Sequence, residues 1–333
     1  MIVAAFVALT TTLVLLVLLG PLLVRLNLVD VPNTRSSHTR PVLRGGGLAI
    51  AVGTSAGLVI GDVVDGRSGV ALLVVSTGFA AVGFADDRRS RPVTVRLVAQ
   101  FVLAIVGAIL LATEFDLASA LVAVAGVVTV FWIVGYVNVF NFMDGINGIS
   151  AVTAAIIGVT HMVAGTQIDS DLVSVAGAAL VGGAIAFVPF NFPVARMFAG
   201  DVGSYFLGSY IAILSVIALT AGVSVVTVAA PLMVYLFDTT YTMARRALSG
   251  KSIFEAHRDH SYQYLANRRL NHKRTTTVVG VITAACAGIG LLAHDRTVVV
   301  AAACLLVIVF LSAVFVWLPN VLVDRRAVPR VPQ

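Results

Sequence analysis

Residues 69–91 read GVALLVVSTGFAAVGFADDRRSR. An apolar run long enough to enter a bilayer as a helix ends in two adjacent carboxylates, Asp86 and Asp87, and Arg88, Arg89 and Arg91 follow at once. Paired carboxylates beside hydrocarbon are costly unless water, basic partners or a metal ion stabilises them. The stretch therefore predicts a membrane helix whose polar end handles a phosphate group through a divalent cation. A surface charge cluster with the neighbouring arginines is the competing account.

Working outward, the whole chain shares the character of this run. Its 333 residues are 59% hydrophobic and 11% charged, with a mean hydropathy of +1.00, which excludes a water-soluble globular fold and places it among all-α polytopic membrane proteins. About eleven apolar stretches are long enough to span, near residues 2–24, 46–61, 69–84, 96–113, 118–137, 149–165, 171–190, 205–222, 224–240, 276–293 and 297–318. Only residues 221–224 separate the eighth from the ninth, and fusing them would bring the number to about ten. The first stretch has no basic residue before its apolar core and no small-residue cleavage pattern after it, so it reads as a retained span.

Charge placement predicts the orientation. All but Arg67 and Arg296 of the 22 Lys and Arg residues fall on one set of loops, which puts the N-terminus outside and the C-terminus in the cytoplasm. The net charge of +6 then reflects topology and membrane lipids, with no nucleic acid implied. Cys286 and Cys304 lie in apolar runs and read as packing residues. The outward connections are short and carry no chemical constellation. No internal repeat is visible, so residues 1–333 form one membrane domain.

The inward segments, near 25–46, 85–96, 138–148, 191–204 and 241–275, carry the chemistry, and a basic tail covers 319–333. In the first, Arg35, His38, Arg40 and Arg44 precede Gly45, Gly46 and Gly47, a pattern suited to an anion-binding turn in which bare backbone N–H groups approach phosphate. Close helix packing in a solvated basic loop is its alternative. In the third, Asn138, Asn141, Asp144 and Asn147 step by three and form a polar strip if helical, with Gly145 and Gly148 opening the chain near a ligand. In the fourth, Asp201 stands between Gly200 and Gly203, as a metal ligand or as a helix N-cap. In the fifth, His257 and His260 lack a cysteine or further histidine to complete a zinc site, and Arg258 between them suits a pyrophosphate. His161 and His294 read as structural.

The order SSHTRPVLRGGG, FADDRRSRP, NVFNFMDGINGI, FNFPVARMFAGDVGSYFLG and KSIFEAHRDHSYQYL resembles the polyprenyl-phosphate N-acetylhexosamine-1-phosphate transferases. The resemblance runs from Asn33 to Gln263. It implies ten or eleven membrane helices, a cytoplasmic active site in the bacterial inner membrane, dependence on Mg²⁺ with Mn²⁺ as a substitute, and transfer of a sugar 1-phosphate from a UDP-sugar to polyprenyl (undecaprenyl) phosphate with release of UMP. Within the family, His257-Arg258-Asp259-His260 followed by Tyr262-Gln263 is most similar to the branch that initiates O-antigen for lipopolysaccharide, whose donors include 6-deoxy N-acetylated sugars. The histidine-rich loop of the peptidoglycan branch is absent. One departure stands out: many relatives have a second aspartate where this chain has Asn147.

Residues and resemblance together assign Asp87 and Asp201 to the metal, and Asp86 to positioning or deprotonating the lipid phosphate. Asn138, Asn141 and Asp144 are expected to hold uridine or sugar. His257, Arg258 and His260 fall to the pyrophosphate side, with Arg196, Lys251, Arg44 and His38 as further anion contacts. A homodimer is compatible with this reading. The rival is a transporter or flippase for lipid-linked sugars, which should place ionisable groups at the bilayer midplane and show related halves.

Overall fold

The computed structural model describes residues 1–31, 41–115, 118–252, 257–268 and 270–322. His38, Arg35, Arg40 and most of the basic tail lie outside the described residues. In chain order the elements are α1 (Ile2–Arg25), β1 (Val29–Asp30), β2 (Val42–Arg44), α2 (Gly47–Ile60), α3 (Arg67–Arg88), α4 (Val93–Leu111), α5 (Ser119–Met143), α6 (Ile149–Gln167), α7 (Asp171–Asn191), β3 (Met197–Phe198), α8 (Gly200–Thr220), α9 (Val225–Ala229), α10 (Met233–Leu248), α11 (Ser261–Arg268), α12 (His272–Leu292) and α13 (Val298–Leu322). Ten helical segments among the described residues are long and apolar enough to cross a membrane, with α9 and α10 joined through a short 3₁₀ turn as one of them.

One detail of the expected spans holds and one changes. The narrow division at 221–224 is real: α8 ends at Thr220, Gly222 takes φ +104°, and Ser224 caps α9 by accepting from the Thr227 N–H at 3.2 Å. The shortfall lies instead at α2, whose 14 residues rise only about 21 Å against a hydrocarbon core of about 30 Å. Its glycines let it press on its neighbours. A Cβ at Gly53 would lie 2.8 Å from the Ala8 carbonyl oxygen of α1, and one at Gly57 would lie 2.5 Å from that of Ala4.

The hub is α8. Every residue from Val202 to Ala218 is buried, which a helix buried all round requires, and α3, α5 and α2 pack against it. A Cβ at Gly47 would fall 2.1 Å from the Gly203 Cα, and one at Gly83 would fall 2.2 Å from the Asp201 carbonyl oxygen, so α2 and α3 meet the start of α8 at backbone distance. A three-stranded sheet of order β1-β2-β3 seals this end. β1 runs antiparallel to β2, and β2 is parallel to β3 with Leu43 opposite Met197 and Arg44 opposite Phe198.

That sheet corrects the anion-binding turn expected at Gly45–Gly47. The N–H groups of Gly45 and Gly46 donate to the Phe198 carbonyl at 3.2 and 2.9 Å, and that of Gly47 donates to Ala199 at 2.9 Å. These amides are already satisfied; Phe187, Met197 and Gly203 occupy the space a side chain would need at Gly46 and Gly47, and Gly45 takes φ +111°.

Candidate active site

The last turn of α3 and the first turn of α8 meet at Asp87. Its Oδ1 accepts from the Arg44 Nε at 2.9 Å and from the Asp201 backbone N–H at 3.0 Å, while Oδ2 accepts from the Val202 N–H at 2.9 Å. The first amides of a helix have no partner within it, and its N-terminus carries partial positive charge. A carboxylate from α3 therefore caps α8 across a sequence separation of 114 residues. Gly200 makes room for it, with φ +73° and a position where a Cβ would lie 2.5 Å from Asp87 Oδ2.

Because Asp87 does the capping, Asp201 does not. The Asp201 side chain keeps 20% of its surface exposed, its Oδ1 accepts from Asn141 Nδ2 at 3.0 Å, and Arg44 Nη2 lies 3.7 Å away. Asn141 also donates to Ser204 Oγ at 2.8 Å. Asp86 pairs its Oδ2 with Arg96 Nη1 at 3.0 Å, its Oδ1 accepts from the Arg91 N–H at 2.6 Å, and its carboxyl also meets that of Asp201. Arg88 and Arg89 are exposed and are not its partners. Three carboxyl groups thus gather around two guanidinium groups. Burial works against the charge of Arg44, yet Asp87, Asp201 and Asp30 hold its pKa above the ordinary value.

The polar strip is helical as far as Met143. Asn141 points at Asp201, whereas Asn138 donates to Gln100 Oε1 and to the Val134 carbonyl, both at 2.8 Å, and so ties α5 to α4. Asp144 follows the helix and accepts from Ser150 Oγ at 2.7 Å; burial raises its pKa to about 6. Asn147 belongs to the scaffold. Its Nδ2 donates to the Pro193 carbonyl at 3.2 Å and its own carbonyl accepts from Thr276 Oγ1 at 2.7 Å. A carboxylate could not make the first contact, which is why an amide suits this position here.

The histidine segment forms a second cluster beside the end of α5. The rings of His257 and His260 stack with centroids 5.2 Å apart, and Phe142 lies 6.1 Å from His260. His260 is buried, His257 half-buried and Arg258 exposed, so His257 and Arg258 are the two open to a ligand. Burial, then His260 and Arg246, lower the His257 pKa to about 4, leaving a neutral ring near pH 7. Asp259 pairs with Arg246 of α10. Arg196 stands apart and donates to the Pro189 carbonyl at 3.0 Å, whereas Lys251 is exposed at the edge of the histidine cluster, where its charge acts on Asp259.

Sequence reasoning passed over Arg96, Ser204 and Asp238. Arg96 and Gln100, four apart on α4, were a legible polar edge on an apolar helix. Asp238 was legible as the only acidic residue between Val225 and Leu248.

Regarding metal, no group of three or more His, Cys, Asp or Glu side chains is poised as a closed cage among the described residues. An open site needs less, since Mg²⁺ is held by one or two carboxylates together with water and substrate phosphates. The partly exposed Asp201, in a cluster of three carboxyl groups, fits that requirement. Asp87, with both oxygens engaged and its side chain fully buried, does not present a free oxygen.

A multi-pass helical protein that gathers carboxylates, arginines and an asparagine around one helix start is a membrane enzyme for phosphate chemistry. Residues 69–219 match the family model described as glycosyl transferase family 4. The chain is 28% identical over 295 residues to a probable undecaprenyl-phosphate N-acetylglucosaminyl 1-phosphate transferase of Bacillus subtilis, covering 84% of this chain and 81% of that protein. It is 31% identical over 251 residues to a phospho-N-acetylmuramoyl-pentapeptide-transferase of Desulforudis audaxviator, covering 65% and 75%. It is 26% identical over 304 residues to a decaprenyl-phosphate N-acetylglucosaminephosphotransferase of Mycobacterium leprae, covering 79% and 76%. The chain belongs to the polyprenyl-phosphate N-acetylhexosamine-1-phosphate transferase family and is a phosphotransferase.

Proposed function

We propose that the protein transfers an N-acetylhexosamine 1-phosphate from a UDP-sugar to a polyprenyl phosphate, releasing UMP and making the first lipid-linked intermediate of a cell-surface glycan. The observation that carries this reading is the start of α8, where the Asp201 carboxyl keeps a fifth of its side chain exposed beside Arg44 and Asn141 because Asp87 has taken over the cap. An oxygen of the lipid phosphate attacks the β-phosphorus of the donor, the bond from that phosphorus to the bridging oxygen breaks, and UMP leaves with the electron pair. The lipid phosphate is ionised near neutral pH, so the step needs no dedicated base.

Asp201 is the residue we assign to a divalent ion, Mg²⁺ or Mn²⁺, which when bound neutralises pyrophosphate charge. Asp87 holds Asp201 and Arg44 in place, and Asp86 holds Arg96, so both members of the doublet act by positioning. Asn141 and Asp144 face the nucleotide-sugar, and His257 and Arg258 its phosphates. The concentration of basic residues on one set of loops supports a cytoplasmic site in the bacterial inner membrane. The segment from His257 to Gln263 favours donors without a peptide, including 6-deoxy sugars, and an O-antigen-type pathway.

The test is purified protein with undecaprenyl phosphate, Mg²⁺ and a panel of UDP-sugars, scored by UMP release. Release with at least one UDP-N-acetylhexosamine is expected. No release with any of them, their 6-deoxy relatives included, sinks the assignment.

A further inference from the structure

Asp238 is buried in the middle of α10 with 0% of its surface exposed. A lone carboxylate there is costly unless its charge is met by donors. The donors come from another element. Oδ1 accepts from the Ser261 N–H at 2.8 Å and Oδ2 from the Tyr262 N–H at 3.0 Å, the first amides of α11, and Thr242 Oγ1 donates to Oδ1 at 3.2 Å. The His260 Nδ1 lies 3.5 Å from the same Oδ1. The negative charge sits at the positive end of α11.

From that fixed start, α11 reaches the nucleotide side of the site. The Tyr262 hydroxyl donates to the Phe142 carbonyl at 2.9 Å, on the last turn of α5 that carries Asn141, and it stands where a Cβ on Gly145 would be, 2.1 Å away. On the other flank, the Arg245 guanidinium lies over the Tyr264 ring at 5.7 Å, and Arg246 pairs with Asp259. One end of α10 thus grips both sides of the histidine segment.

We propose that Asp238 is a positioning residue for the transferase reaction: by capping α11 and orienting His260, it fixes the stack of His257 on His260 against the end of α5. The carboxylate is satisfied only when α11 starts where it does, so burial of Asp238 and placement of the histidines are one coupled arrangement. This role rests on the function proposed above, and its test has one arm that does not.

The first arm measures hydrogen exchange in peptides covering residues 257–268 of the full-length protein in detergent, wild type against Asp238→Asn, without substrate. Loss of a charge-assisted bond should speed exchange of the first-turn amides of α11 by about tenfold or more, while the first turn of α8 is unchanged. The second arm measures UMP release with Asp238→Asn, His260→Ala and the double variant. Asp238→Asn should raise the KM for the UDP-sugar more than it lowers kcat, and it should add less than about twofold once His260 is absent, because the two act as a unit.

Unchanged exchange in α11, or effects that multiply in the double variant, overturns the proposal. If Asp238→Asn does not accumulate as folded protein, Thr242→Val serves in both arms. It removes one donor to Oδ1, and the same direction at smaller size is expected, with no change overturning the idea. A wild-type protein inactive on every UDP-sugar that still shows the exchange effect overturns the reaction assigned above and not the cap.

Discussion

Two helix starts in this molecule are capped by an aspartate from a different helix: α8 by Asp87 and α11 by Asp238. Each carboxylate takes two successive backbone N–H groups, and each side chain is wholly buried. The counter-charges differ. Asp87 is matched by the permanent cation of Arg44, whereas Asp238 faces Thr242 and His260. The first arrangement fixes a charged pair at the start of α8, and it leaves the Asp201 side chain out of the cap. The second fixes a shape, holding rings in place.

The comparison breaks first at Asp201. Asp201→Asn should lower turnover at least about 100-fold, measured as UMP release at saturating Mg²⁺, with the thermal midpoint little changed. Near-normal turnover would remove it from the site. Asp87→Asn should lower turnover as severely and also destabilise the protein. An amide cannot match the charge of Arg44, which is 39% exposed and so still partly solvated, and the two α8 amides lose a charged acceptor, together a cost on the order of 1–3 kcal/mol. A thermal midpoint equal to wild type would show that the cap on α8 is dispensable. Gly200→Ala tests the same cap from the other side. Strain at positive φ plus the close approach to Asp87 should cost about 1–2 kcal/mol or more, read by chemical denaturation in detergent, with turnover falling in parallel.

Asp144 sharpens the contrast through pH. Burial raises its folded-state pKa to about 6, above the ordinary value of 3.8, so between those values the folded protein binds more protons than the unfolded chain. The stability linked to this group is present at low pH and is lost as pH rises through about 6. Asp144→Asn should therefore be more stable than wild type above about pH 6, converge with it toward pH 4, and still lose turnover. A stability difference independent of pH would contradict the burial of an ionisable group there. The smallest effect belongs to Arg196→Ala, expected to change turnover less than about twofold because its guanidinium serves the Pro189 carbonyl on an exposed turn.

Much of this was legible in the chain itself. Hydropathy located the spans, and the motif order brought Asp86, Asp87, Asn141 and Asp201 under one heading before any coordinates. What local pattern does not encode is which partner a polar group chooses across the fold. Asp87 could be read as a ligand because nothing nearby in sequence announces that the amides of Asp201 and Val202 will claim it. Gly45 to Gly47 had the composition of a phosphate cradle, and only the pairing with Phe198 and Ala199 shows those amides to be spent. Asn147 read as a departure from the aspartate of many relatives and is a strut to Pro193. Asp238 sat in plain view in an apolar run, its use hidden because α11 begins more than twenty residues later.

The parallel pairing of β2 with β3 also bears on the order in which the protein is made. Arg44 lies in the segment between α1 and α2, early to emerge from the ribosome, and Asp87 follows with α3, but the strand and amides that seat them arrive only with residues 197–202. Until α8 is inserted, a guanidinium and a carboxylate wait at the bilayer surface without their final partners. The seat of Arg44 and Asp87 is thus completed only when α8 is made, and the histidine segment joins it later still, with α10 and α11.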